Sequence, residues 1–219
     1  GWAGEHGYRA VQDGRADPFG RPASRLFSDR AARYGRQEAT PAATTQAQAG
    51  PESVSDTGHW YPAYVGLGSN LHMPARQIED ALGLLADLPA TRLVLRSSLY
   101  RSSPLGGIEQ PDFVNAAAAL LTALDPLQLL TELQQIEERQ GRERDGARWG
   151  PRVLDLDLLV YGSEIIDRPG LTVPHPGIAE RNFVLLPLGE IAPQLEIPGL
   201  GRVARLPVDT NEPSISRVV

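Results

Sequence analysis

Between Tyr61 and Tyr161 the apolar residues alternate between the two-residue period of a strand and the 3.6-residue period of a helix, in the order β-α-β-β-α-β. Ala63–Gly68 is a short apolar run ending in Gly68-Ser69-Asn70, a buried strand feeding a turn. Pro74 suits the first turn of a helix whose inner face is Ile78, Ala81, Leu82, Leu85 and Leu88. Leu93–Tyr100 and Phe113–Leu121 read as strands, separated by the Pro/Gly-rich loop Ser102–Pro111. Asp125-Pro126 opens a second helix, with Asp as N-cap, Pro at the first helical position and Gln128 at capping-box spacing. Leu129, Leu130, Leu133 and Ile136 line its inner face, and Gly141 stops it. Val153–Tyr161 is a further strand. Beyond it, Glu164–Ile166 is expected as an edge strand, and Pro187 limits Phe183–Ile191 to a short or broken helix. The order predicts an α+β fold of the ferredoxin-like (split βαβ) type, a mainly antiparallel sheet with helices on its faces. Such a fold hosts unrelated chemistries, so function must come from particular residues.

Residues 1–59 are a different material. They carry few large aliphatics, seven Arg against seven acids, and a polar run from Gln37 to Thr57. Too little apolar surface is available there to offset the entropy of ordering, so a disordered N-terminal extension is expected, with at most a weak helix around Ser24–Arg36. Residues 60–219 then form the folded domain. The chain opens on Gly1 and its only Met is Met73. Either its natural start lies upstream or the chain is a processed or partial one.

All 21 basic residues are Arg and there is no Lys or Cys. This excludes a Walker-type phosphate loop, a Schiff-base lysine, disulfides and thiolate metal sites. A net charge of −6 provides no basic field for nucleic acid or an anionic membrane. A cytoplasmic monomer acting on small molecules is expected, without nucleic acid or membrane as partner. If phosphates are handled, arginine and metal must handle them.

The stretch Arg148-Trp-Gly-Pro-Arg152-Val-Leu-Asp155-Leu-Asp157-Leu158 carries the most chemistry. Alternation puts Val153, Asp155, Asp157, Leu159 and Tyr161 on one strand face and Leu154, Leu156, Leu158 and Val160 on the core face. Two carboxylates about 7 Å apart on one face repel, and a divalent cation with oxygen ligands resolves the conflict. An ordinary solvated pair of acids is the competing reading, but the apolar flanks argue for a central strand. Upstream lie Arg142, Arg144, Arg148 and Arg152, spaced by glycines. Mobile guanidinium forks beside metal carboxylates are what polyphosphate transfer requires. Phe113 and Asn115, two apart in one strand, offer a stacking face and an amide to a flat heteroaromatic ligand, with Phe183 as a second wall. His175, in a rigid Pro-His-Pro loop, and Arg181 are candidate phosphate donors. No other His has zinc-ligand spacing with His175.

Five blocks together resemble the 6-hydroxymethyl-7,8-dihydropterin pyrophosphokinase family. They are Val65–Asn70, Ser98–Pro104, Gln110–Ala116, Arg148–Leu158 and Val173–Pro176, and they run in order from about Tyr61 to Leu195. The resemblance implies an ATP-dependent diphosphotransferase of folate biosynthesis that releases AMP. ATP would be the co-substrate, with two Mg²⁺ held by Asp155 and Asp157. It also implies pterin contacts from Ser102, Leu105, Phe113, Asn115 and Phe183. Gln134, Glu137, Arg144, Trp149, Arg152, Leu158, Thr172, His175 and Arg181 would line the nucleotide site, and Arg142 and Arg152 would belong to or border a closing loop. Ser102 stands where Thr is frequent and Phe113 where Tyr is frequent; each keeps the relevant group. Gly170 stands where some relatives carry Arg, which puts one phosphate contact in question. Residues 1–59 match nothing in the family. The rival readings are another metal-dependent phosphohydrolase or nucleotidyltransferase on a ferredoxin-like fold, and a non-catalytic binding module of that fold.

Overall fold

The computed structural model describes residues 58–105, 109–141 and 150–218. Residues 1–57 of the expected N-terminal extension, including its weak helix, and Arg142, Arg144, Arg148 and Trp149, lie outside the described residues. The chain runs β1 (Tyr61–Ser69), α1 (Pro74–Ala86), β2 (Thr91–Arg96), β3 (Tyr100–Ser102), β4 (Phe113–Thr122), α2 (Pro126–Arg139) and β5 (Asp155–Tyr161). There follow β6 (Ile166–Arg168), β7 (Leu171–Val173), α3 (Asn182–Ile191), β8 (Glu196–Ile197), β9 (Gly201–Arg202) and β10 (Ile215–Arg217). The main sheet has the order β10-β3-β4-β1-β5, with β2 also on β4, and every pairing is antiparallel. β5, β1, β4 and β2 thus give the split βαβ arrangement that the periodicity predicts.

The two helices α1 and α2 cover one face. Ile78, Ala81, Leu82 and Leu85 of α1 and Leu129, Leu133 and Ile136 of α2 pack on Val65, Leu67, Val114, Leu156 and Leu158. Each fully buried Leu or Ile there contributes about 1.5–3 kcal/mol. The capping box at α2 forms as its sequence spacing predicts. Asp125 accepts from the amides of Leu127 and Gln128, and the Gln128 side chain accepts from the Asp125 amide.

Three sequence expectations need correction. The predicted strand Leu93–Tyr100 is two strands, because the chain leaves the ladder after Arg96 and rejoins β4 at Tyr100. The expected edge strand at Glu164–Ile166 begins only at Ile166, and pairs with Leu171–Val173 rather than with the main sheet. The alternation of the last long strand breaks at a bulge. Tyr64 faces Val160 and Val65 faces Leu158, so Leu159 has no partner across β1. Asp155, Asp157 and Leu159 share a face as expected. After the bulge Val160 joins them and Tyr161 moves to the helix side, where its hydroxyl donates to Leu124 O at 2.7 Å.

Helix α3 covers the opposite face over Ala117, Leu159 and Val160. It is short but continuous through Pro187. An interior Pro costs about 3 kcal/mol, and burying Val184, Leu185 and Leu188 returns more than that at about 1.5–3 kcal/mol each. Glu190 near its end accepts hydrogen bonds from the Ser98 amide (3.1 Å), Ser98 Oγ (2.9 Å) and Tyr100 Oη (2.8 Å), and pairs with Arg217 (3.3 Å). One carboxylate thereby ties α3 to both segments of the sheet edge. Burial alone pushes this carboxyl up, but the hydrogen bonds and Arg217 outweigh it and hold it below its ordinary 4.5. A depressed folded-state value stabilises the fold above pH 4.5 and loses that effect as pH falls through the folded value. Glu190→Gln is therefore expected to lower the urea midpoint at neutral pH, with the gap to the parent narrowing as the pH falls below 4.5 and through the folded value. A gap that stays the same size from neutral pH into the acid range contradicts this role.

Candidate active site

β1 runs between β4 and β5, and its register decides what meets on the α3 side of the sheet. Tyr100, Asn115, Gly68 and Asp155 form one cross-strand row; Ala117, Gly66 and Asp157 form the next. Residues opposite each other in antiparallel strands share a face, so Asn115, Asp155 and Asp157 project together over a glycine floor. A Cβ at Gly68 would lie 3.5 Å from Asn115 Oδ1 and 4.0 Å from the Asp155 Cβ. The bare backbone keeps the space between amide and carboxylate open.

Above this floor is a cavity of about 280 Å³. Ser102, Leu105, Phe113, Asn115, Arg152, Asp155, Asp157, His175, Arg181 and Phe183 all line it. The residues expected for a pterin and those expected for phosphates therefore share one space. At the end lined by Phe113 and Phe183, Asn115 Nδ2 donates to the buried Ser102 Oγ at 3.0 Å, which fixes the amide orientation. Phe113 and Phe183 stand half-buried on β4 and α3.

At the other end Arg152 Nη1 donates to Asp155 Oδ2 at 2.6 Å. Asp157 faces His175 Nε2 at 3.9 Å. Burial and the neighbouring Asp155 push the Asp157 carboxyl up, against the pull of His175, Arg181 and Arg152. Burial lowers the His175 imidazole. The Gly177 amide donates to His175 Nδ1 at 3.1 Å, so the neutral ring carries its proton on Nε2, which faces Asp157. Gly177 also lets Arg181 pass, since a Cβ there would sit 2.6 Å from its Nε. The donor set of two close carboxylates with oxygen ligands only suits a hard cation such as Mg²⁺. Burial first, and then repulsion from Asp155, disfavour the Asp157 charge, and such a cation would relieve both.

A second recess shares Asp157 and His175 and adds Leu158 and Thr172, two of the expected nucleotide contacts. Gln134 and Glu137 of α2 line neither cavity. Glu137 is buried, and its Oε1 accepts from the Leu156 amide at 2.7 Å. Arg142, Arg144 and Trp149 lie outside the described residues. Sequence reasoning overlooked Gln110 and Ser103 as lining residues, and the floor glycines Gly66 and Gly68. The signal for the glycines is their two-residue spacing on a strand that is otherwise apolar.

The sequence model of the 7,8-dihydro-6-hydroxymethylpterin-pyrophosphokinase (HPPK) family matches residues 64–193 of the 219, well over half of the chain. The chain belongs to the HPPK family. Among HPPK relatives, the 2-amino-4-hydroxy-6-hydroxymethyldihydropteridine pyrophosphokinase of Haemophilus influenzae is 53% identical over 136 residues, 62% of this chain and 84% of the relative. The protein of the same description from Pseudomonas aeruginosa is 56% identical over 135 residues, 62% and 83% of the two chains. That of Bacillus subtilis is 43% identical over 134 residues, 61% and 80%. A solved Plasmodium falciparum HPPK-DHPS chain is 16% identical with a TM-score of 0.57, covering 70% of this chain and 46% of that one, and supports the fold alone. The HPPK match takes in both Asp155 and Asp157 and every residue named above as lining the cavity.

Proposed function

We propose that this chain transfers the β,γ-diphosphate of ATP to the hydroxymethyl group of 6-hydroxymethyl-7,8-dihydropterin, giving AMP and the pterin diphosphate. The observation that carries the reading is that Asn115, Asp155 and Asp157 stand on successive rows of one sheet face and line one cavity. The family match and the chemistry of the lining residues support it.

Phe113 and Phe183 hold the pterin by stacking, and Asn115, Ser102 and the backbone at Leu105 read its polar edge. Gln134, Glu137, Arg144, Trp149, Leu158, Thr172, His175 and Arg181 are assigned to the nucleotide side. Asp155 and Asp157 are assigned to two Mg²⁺ ions, whose chemistry when bound is to neutralise and orient the phosphates. The pterin hydroxymethyl oxygen attacks the β-phosphorus in line. The new bond joins that oxygen to Pβ, the hydroxyl proton is released to solvent, the bond from Pβ to the α–β bridging oxygen breaks, and AMP departs with its electron pair. Arg152 and Arg142 meet the charge that spreads over the non-bridging oxygens, and His175 Nε2–H and Arg181 donate to the phosphate chain. Stacking and the fixed amide set the approach of the nucleophile, so no covalent enzyme intermediate is required.

Quantifying AMP release from ATP and Mg²⁺ with and without the hydroxymethyl pterin tests this directly. AMP formed one-for-one with pterin diphosphate, and only when pterin is present, is expected. Pterin-independent release of AMP would point instead to a phosphohydrolase or nucleotidyltransferase on the same aspartates.

A further inference from the structure

We propose that Asn70 is a positioning residue that locks the pterin side and the phosphate side of the cavity into one register. The proposal rests on the reading given under Proposed function. Asn70 follows the last residue of β1 and is 2% exposed. Its Nδ2 donates to Gln110 Oε1 and to Pro111 O, both at 3.1 Å. Its Oδ1 accepts from the Arg152 amide at 2.7 Å, and its own amide donates to Arg152 O at 3.0 Å.

Both ends of this side chain matter. Gln110 lines the cavity, and Pro111 is two residues before Phe113, the first residue of β4. Arg152 carries the guanidinium that meets Asp155. The loop entering β4 and the backbone under Arg152 are 41 residues apart in sequence (111 to 152), and through Asn70 they share one amide. Only a carboxamide does this: the site needs two donated bonds and one accepted bond within a single short side chain. Asp keeps the acceptor for Arg152 but sets a carboxylate against two oxygens. Ala leaves the Gln110 and Pro111 oxygens and the Arg152 amide without this partner, and buried groups left so cost more than the bond itself contributed.

The test compares the parent with Asn70→Ala and Asn70→Asp by pterin affinity in the presence of Mg²⁺ and a non-hydrolysable ATP analogue. It adds the single-turnover rate at saturating substrates and the urea midpoint. Asn70→Ala is expected to weaken pterin binding and to slow the single turnover, each about tenfold. Asn70→Asp is expected to lose pterin affinity by a similar factor while the single-turnover rate stays nearer the parent's. Asn70→Ser, too short to hold both partners, takes its place should Asn70→Asp not fold. A structural role alone would lower the urea midpoint but leave pterin affinity and turnover of the folded protein at parental values, and that result overturns the proposal. An active parent with unaltered variants removes the Asn70 role alone. A parent that forms no AMP removes the underlying reading as well.

Discussion

Replacing Asp155 or Asp157 with Ala is expected to cut turnover by about 100- to 1,000-fold, the scale of losing a preorganised electrostatic partner of the transition state, while the chain still folds. The two carboxylates occupy successive rows of one sheet face and open into one cavity, so neither substitutes for the other. Their effect on stability should be opposite in sign to their effect on rate. Asp157 is held up by burial and by repulsion from Asp155, so removing its charge relieves a conflict within the fold. In urea without Mg²⁺ the Asp157→Ala midpoint should equal or exceed the parent's, a trade of stability for function. Asp155 also pairs with Arg152, so Asp155→Ala gains less from the same relief. Steady-state rates for both variants near the parent's would end the assignment of the aspartate pair.

Arg152→Ala is expected to slow the chemical step by about 100-fold and to leave pterin affinity within a few-fold of the parent. The backbone of Arg152 is fixed in both directions by Asn70, and the variant therefore removes a guanidinium without moving the strand entry. What is lost is a fork that meets Asp155 and that, on the proposed reading, would meet the non-bridging phosphate oxygens. Arg152→Lys should recover only part of the rate, because an ammonium is a point charge without the bidentate geometry. Rapid-quench single turnovers measure the step itself. Equal rates for variant and parent would contradict the role.

The Asp-Leu-Asp-Leu alternation was readable because a strand has a period of two, and it held through Leu159. It failed one residue later, where a bulge sends Val160 and Tyr161 to the faces opposite those predicted. A bulge inserts one residue into a ladder without changing composition, and a single sequence carries no mark of it. The capping box at Asp125 was equally legible, since its two hydrogen bonds are local. What is not local was hidden. The row Asn115-Gly68-Asp155 depends on the register of three strands, and the three-way grip of Asn70 joins positions 40 and 82 residues away. The break between Arg96 and Tyr100 was missed because Leu99 continues the apolar pattern while Ser97 and Ser98 turn to other partners, the Ala117 amide and Glu190. Arg142, Arg144 and Trp149 keep their assignments as proposals from the resemblance, lying outside the described residues.

Calorimetric titration of 6-hydroxymethylpterin into the chain, with and without Mg²⁺ and a non-hydrolysable ATP analogue, probes the shared pocket most directly. Capture of the pterin should tighten strongly when nucleotide and Mg²⁺ are both present, and should fall back when either is withheld or Asp157 is replaced by Ala. Pterin affinity indifferent to nucleotide and metal would mean that the aspartate face and the aromatic slot do not serve one reaction.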